Sequence, residues 1–329
     1  MTARRGTLPV ALTGTTFRPV RVDELDACAA LWRDSINDYL RPLNLPEVPD
    51  ELGPIGRLYR HTQSTDPDRF IVATVPQAGG PNGERIVAFG SAVERGRIWF
   101  LSMLFVHPDS QGQGLGRAIF ERLLPDPDHP GSLATAVDSL QPISTALYAG
   151  YGIAPRMPIL DLRGEITRPE AFPALPSGIV PVAFEEIASG PPSGSGHRAL
   201  ADAIDALDRD LLGAEHPLEH RYLRTENRRG FLYRGPDGEP IGYGYAAEAG
   251  RIGPIAVRDE SLMEALVGHL AAAVPARGAR GVWGTGDPPR LVATLLAAGL
   301  RIDGAPLMMC WDRPFADFRR YLPISPGLL

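Results

Sequence analysis

Residues 101–124 read LSMLFVHPDSQGQGLGRAIFERLL. An apolar run at 101–106 enters a glycine-rich turn, and the turn opens directly into an amphipathic stretch. That order predicts strand, loop and helix in immediate succession. Gln111, Gly114 and Gly116 form the pattern Q-x-x-G-x-G, with a further glycine at Gly112. Glycine lets the backbone turn tightly and approach a ligand closely. The first N–H groups of a helix lack intrahelical partners and sit at the positive end of its dipole. A pyrophosphate fits such a place. The backbone donors of Gln111, Gly112, Gln113, Gly114, Leu115, Gly116 and Arg117 are therefore the candidate phosphate cradle. The Arg117 side chain either adds a charge to that cradle or is a solvated first-turn arginine.

Two other phosphate loops are excluded by the residues. A P-loop needs G-x-x-x-x-G-K-[ST]. The chain has no lysine, and all 33 of its Lys+Arg residues are arginine. A dinucleotide fingerprint needs G-x-G-x-x-G. Here Gly112, Gly114 and Gly116 are spaced one residue too closely for it.

The flanks of the loop resemble the central motif of the GNAT superfamily of acyl-CoA-dependent N-acyltransferases. That motif is a strand ending in V-x-P, then [QR]-x-x-G-x-[GA], then a helix. A second family motif, a strand followed by a helix ending in L-Y-x-x-x-G-[FY], is matched by LATAVDS and PISTALYAGYGI, with Leu147, Tyr148 and Gly152 in place. The resemblance covers residues 1–165. Ile153 stands where an aromatic is usual, Gln141 where asparagine is frequent, and Ser144 where alanine is common.

The resemblance implies acetyl-CoA as co-substrate, bound at the loop 111–117. It implies that Leu104, Phe105 and Val106 form the strand end that meets the pantetheine, with the Leu104 N–H near the thioester oxygen. It makes Tyr148 the candidate acid, because a phenol with an ordinary pKa of about 10 is protonated at neutral pH and can donate to a forming thiolate. The other reading of Tyr148 is an aromatic buried on an amphipathic helix. Ser144 lies one turn earlier on the same face and is expected at the pantetheine or the sulfur. Glu94 is the candidate base. Glu248 occupies the same place in the second half, which favours a turn role for both. His107 reads as a loop histidine.

Composition bounds the rest. A length of 329 residues predicts two domains. The hydrophobic content of 44% and charged content of 22% are those of a globular chain. No apolar run approaches the ~20 residues of a membrane helix. A net charge of −6 argues against nucleic acid as a partner. The N-terminal apolar patch is short and broken by proline, unlike a signal peptide. Cys28 and Cys310 have no metal-ligand company and read as buried, reduced thiols. The expectation is a cytoplasmic, metal-free protein with no membrane segment.

The pattern of elements appears twice. Glu94-Arg-Gly-Arg-Ile98 is answered by Glu248-Ala-Gly-Arg-Ile252, and Gly152 by Gly299. The second copy has only RDES between Val257 and Leu262, and Leu295 where the first has Tyr148. The fold expected is α/β, an α+β mixed sheet: two GNAT-like domains in tandem, each a twisted mixed sheet flanked by helices. Its limits are 1–165 for the cofactor-binding copy, 166–178 for a proline-rich linker and 179–329 for the degenerate copy. The terminal YLPISPGLL is either frayed or tucked between the domains, with the Leu329 carboxylate brought near the acyl group. Asp34, Asp38 and Tyr39 close the first helix beside an irregular loop and are the candidate acceptor contacts. The expected acceptor is a small-molecule amine or a peptide N-terminus. The rival is a catalytically idle acyl-CoA or small-ligand binding protein on the same fold.

Overall fold

Unbroken apolar runs make the buried strands, and apolar residues at helical spacing make the faces that cover them. A computed structural model of the chain describes residues 14–78, 83–191, 193–286 and 289–329. The leader at 1–13 and part of the turn at 77–84 lie outside the described residues. The chain forms two compact units, Met1–Glu94 with Trp99–Pro130, and Arg95–Ile98 with Gly131–Leu329.

The first unit contains β1 (Thr16–Pro19), α1 (Leu25–Leu40), α2 (Gly53–Thr65), β2 (Phe70–Pro76), β3 (Glu84–Arg95), β4 (Ile98–Val106) and α3 (Leu115–Leu123). Its strands follow the order β1-β2-β3-β4. β2 pairs antiparallel with both β1 and β3. An aromatic cluster fills the core. Tyr59 of α2 meets Phe70 and Phe89 edge-on at 5.7 and 5.4 Å, and Phe89 stacks on Phe105 at 5.8 Å. Full burial of each such side chain contributes about 1.5–3 kcal/mol. Helix α3 buries Leu115, Ala118, Ile119, Phe120 and Leu123. It packs so closely over Gly90 of β3 that a Cβ there would lie 2.7 Å from Ile119 Cγ2 and 2.9 Å from Leu123 Cδ1. The Trp99 indole N–H donates to the Leu123 carbonyl at 2.9 Å and satisfies the end of the helix.

The second unit contains β5 (Ser132–Asp138), α4 (Pro142–Ala149), β6 (Ala154–Gly164), β7 (Val180–Ala183), α5 (Phe184–Ile187), α6 (Ser195–Leu211), α7 (Pro217–Thr225), β8 (Arg228–Arg234) and β9 (Pro240–Ala247). There follow β10 (Arg251–Val257), α8 (Met263–Ala273), β11 (Arg280–Thr285), α9 (Pro289–Ala298), β12 (Arg301–Ile302), β13 (Leu307–Trp311) and β14 (Tyr321–Leu322). The strand order is β5-β13-β6-β11-β10-β9-β8-β7, with β12 on β6 and β14 on β10. The β10–β11 pair is parallel. The pairs along the rest of that order are antiparallel. Strand β13 therefore sits between β5 and β6, and β6 sits beside β11. This exchange explains why compactness divides the chain at Pro130 and Gly131, since β5, α4 and β6 are sewn to strands from the end of the chain.

The repeat is visible in the helix ends. After α4, Gly152 adopts φ +87° and Ile153 N–H donates to Tyr148 O at 3.1 Å. After α9, Gly299 adopts φ +113° and Leu300 N–H donates to Leu295 O at 3.0 Å. A side chain at either glycine would be strained in this left-handed region. The two short strands β7 and β14 were not legible in the sequence. β14 settles the reading of the terminal segment, which is not frayed: Tyr321, Leu322, Ile324, Leu328 and Leu329 are all buried.

Gly90→Val should destabilise the chain by about 1–3 kcal/mol through overpacking under α3. The measurement is the denaturation midpoint, with Gly278→Val, at an open site without a positive φ, as the comparison. An equal loss in the two variants would mean that the Gly90 contact yields.

Candidate functional site

The loop is built by local chemistry. β4 is buried over its first five residues and half-buried from Met103 to Val106. His107 N–H donates to Val87 O at 2.8 Å, which pairs β4 with β3. Alternation along a strand then turns the peptide groups of Leu104 and Val106 away from β3. The Val106 carbonyl accepts from Gln111 Nε2 at 3.2 Å and from Ser35 Oγ at 3.1 Å. These contacts fold the loop back onto the strand end and tie α1 to it. His107 Nδ1 accepts from Asp109 N–H at 3.3 Å and caps the turn at Pro108–Ser110.

Gly112 and Gly114 have φ +73° and +84°, and Gly114 is the N-cap of α3. Gln111, Gly112, Gln113 and Arg117 are exposed, whereas Leu115 points into the core and anchors the first turn. The N–H groups of Leu115, Gly116 and Arg117 have no intrahelical acceptor by the geometry of the first turn. A Cβ at Gly116 would touch only Val106 Cγ2, at 3.5 Å. The protein thus leaves room at Gly116 that it does not itself need.

Tyr148 and Ser144 stand together in the second unit. The Tyr148 side chain is 4% exposed, and the Ser144 hydroxyl is hydrogen-bonded to it one turn away. Burial pushes the phenol well above its ordinary pKa, helped by the Cys310 thiol and opposed by the Ser144 hydrogen bond. The phenol is therefore protonated throughout the neutral range. Burial also raises Cys310 to about 12 and drives Cys28 up, so both are buried, neutral thiols.

The remaining expectations meet existing partners. Glu94 is ion-paired with Arg69, and its Oε1 lies 3.7 Å from His129 Nδ1. The Glu94 carboxylate is thus engaged by neighbours at the end of its strand. Glu248, its counterpart, pairs with Arg277 at 2.5 Å. Asp34 is held by Arg33 Nη2 at 3.0 Å, and Arg33 also pairs with Asp50. Asp38 is exposed and Tyr39 half-buried. Sequence reading missed Asn37 of α1. Its buried amide accepts from Val48 N–H at 2.7 Å and donates to Val48 O at 3.2 Å, clamping the irregular loop onto the helix. A polar residue on the covered face of an amphipathic helix was the only available sign of it.

In the second unit the end of β10 has protein partners on both edges. β10 pairs with β11 at Arg251 and Ile252, and then leaves it. From Ile255 to Val257 its partner is the chain's own terminal segment, with Ile255 opposite Leu322, Ala256 opposite Tyr321, and Val257 N–H donating to Arg320 O at 2.9 Å.

Sequence reading also missed a buried polar cluster in the second unit, Asp208, His216 and His220. Its only linear trace is the His-x-x-x-His spacing. Burial opposes the Asp208 carboxylate, but the two histidines outweigh it and hold its carboxyl below the usual range. Burial likewise opposes the His216 imidazolium, and Asp208 more than offsets this. His220 is pushed down by burial and by His216. A separate open cleft of 880 Å³, lined by Phe172, Leu175, His269 and Arg280 among others, contains none of the motif residues.

With this geometry in view, comparison with known proteins is specific. Residues 32–152 match the family model described as Acetyltransferase (GNAT) family. An acetyltransferase of Pectobacterium atrosepticum is 37% identical over 109 residues, 32% of this chain and 63% of the relative. The chain spans 63% of the length of the curated relatives it matches. A solved structure from Pyrococcus horikoshii superposes with TM-score 0.70 at 13% identity, covering 99% of this chain and 100% of that one. A tandem GNAT protein from the clavulanic acid biosynthesis pathway gives TM-score 0.51 at 18% identity, covering 91% and 99%. At such identities the two likenesses establish the fold. Among the described residues, no helix is long and apolar enough to cross a membrane.

Calorimetric titration with acetyl-CoA should give one site per chain, because the second copy lacks the loop. Gly116→Val should keep the melting temperature near that of the parent and weaken binding roughly tenfold or more, about 1.4 kcal/mol. Two equivalent sites, or unchanged affinity in the variant, would remove the loop from its role.

Proposed function

We propose that the chain is an N-acetyltransferase that moves an acetyl group from acetyl-CoA to a small-molecule amine or a peptide N-terminus. The observation that carries this reading is the Q-x-x-G-x-G loop. Its two left-handed glycines and exposed residues lead into a helix N-terminus. The pyrophosphate is held by the N–H groups at 111–117. The peptide groups of Leu104 and Val106, turned away from β3, supply the strand edge for pantetheine. The Val106 carbonyl is already engaged by Gln111 and Ser35, which leaves its N–H as the donor there.

The reaction is direct. The neutral amine attacks the thioester carbonyl carbon, and the oxygen gains charge that a backbone N–H stabilises. Collapse of the intermediate breaks the carbon–sulfur bond. The amine loses its proton to water or to a second amine, and the sulfur takes one from Tyr148. The assignment of Tyr148 rests on the L-Y-x-x-x-G pattern and on its protonated phenol. Ser144 orients that hydroxyl. Glu94 is assigned to the end of its strand, and no residue is assigned as base. The domain limits 1–165, 166–178 and 179–329 describe the repeat in sequence, and the second copy serves as scaffold. One observation favours an idle binding protein instead: burial makes the Tyr148 phenol a poorer acid.

Thiol release from acetyl-CoA across an amine panel separates the two readings. Tyr148→Phe should leave acetyl-CoA affinity nearly unchanged and lower turnover by roughly 10²–10⁴-fold. Binding without turnover for any amine would identify the idle protein. Turnover unaltered in the variant would make the hydroxyl structural. In the same panel, Asp34→Asn with Asp38→Asn should reduce the preference for cationic acceptors, and an unchanged preference would exclude the end of α1 from recognition.

A further inference from the structure

The buried cluster in the second unit is not used by the proposed reaction. Asp208 lies near the end of α6, His216 is the N-cap of α7, and His220 follows one turn later. Their exposures are 0, 1 and 4%. Asp208 Oδ2 lies 2.9 Å from both His216 Nδ1 and His220 Nε2. The Tyr243 hydroxyl donates to Asp208 Oδ1 at 2.6 Å. The Tyr245 hydroxyl lies 2.8 Å from His220 Nδ1, and the Tyr321 hydroxyl 3.4 Å from His216 Nε2. Arg95 and Glu219 also lie near, and they neutralise one another through contacts of 2.6 to 2.9 Å.

We propose that Asp208, His216 and His220 bind one borderline divalent cation of the zinc type, as a structural site. Two imidazole nitrogens and one carboxylate oxygen are a donor set that suits such an ion. The ring nitrogen of each histidine that faces away from Asp208 meets a tyrosine oxygen. Donation of that N–H to tyrosine leaves His216 Nδ1 and His220 Nε2 as lone pairs directed inward, which is the outer support that metal-bound histidines need. The His216 Nδ1 atom is buried and, although 2.9 Å from Asp208, lies off the line of a hydrogen bond. Ligand bonds of about 2.0–2.2 Å require the donors to part by only a few tenths of an ångström. Such a site joins α6 and α7 to β9 and, through Tyr321, to β14. The expectation of a metal-free chain rested on the two cysteines alone and did not weigh these residues.

The test is elemental analysis of the full chain, purified without chelator from zinc-supplemented cells. One equivalent of zinc per chain is expected in the parent, and less than about a tenth in Asp208→Asn and in His220→Gln. Because either variant may fail to fold, the parent is also melted after treatment with a strong chelator, with and without added Zn²⁺. Chelation should lower the melting temperature by several degrees, and Zn²⁺ should restore it. Chain reconstituted with Co²⁺ should show the visible absorption of nitrogen- and oxygen-bound cobalt. Parent protein without stoichiometric metal and without a thermal response would overturn the proposal. Full retention of zinc by a folded His220→Gln variant would overturn it by placing the ion elsewhere.

Discussion

The seating of β13 between β5 and β6 is the contact on which the second unit depends. Five residues of β13 face β5, and the same five face β6. Both edges of the strand are therefore paired, and its removal would leave two rows of buried backbone groups without partners. The strand comes from the far end of the second repeat, yet it underlies the region from which α4 and Tyr148 arise. Cys310 of β13 is close enough to Tyr148 to raise its pKa. The degenerate half is consequently not spare sequence. It supplies part of the surroundings in which the candidate acid sits.

The two repeats show how one framework is opened or closed with few changes. In both, an apolar strand leads towards a helix, β4 to α3 and β10 to α8. The first repeat uses eight residues, HPDSQGQG, for the connection, and two left-handed glycines shape it. The second uses RDES and fills the free edge of β10 with Tyr321 and Leu322. An unpaired strand edge buried in protein is unfavourable. In β10 the terminal segment is the partner of that edge.

How much was legible follows the range of the interactions. The strand–loop–helix at 101–124 could be read because its signals are local: an apolar run, glycines at a turn, and helical spacing of Leu115, Ile119 and Leu123. The Gly152 and Gly299 helix ends were legible for the same reason. The seat of β13 was not, because apolar runs such as PLMMCW do not name their neighbours. β14 was hidden in a proline-bearing stretch whose two paired residues carry no alternation. Ser35 and Asn37 look like ordinary polar interruptions of a helix until their partners, Val106 and Val48, are known. Asp208, His216 and His220 are spread over two helices and gain meaning only when a single carboxylate oxygen is 2.9 Å from both rings.

The burial of Tyr148 bears directly on the proposed chemistry. A phenol raised well above its usual pKa gives up its proton less readily, which by itself disfavours donation. What decides the transfer is the difference between donor and acceptor. Dry surroundings destabilise every anion, a departing thiolate as much as a phenolate. If sulfur and phenol share the same poorly solvated environment, both pKa values rise and the difference between them is largely preserved. The Ser144 hydroxyl opposes part of the rise through its hydrogen bond to the phenol. On this reading the serine, where alanine is common in the resembling family, offsets a small part of the effect of burial on the tyrosine beside it.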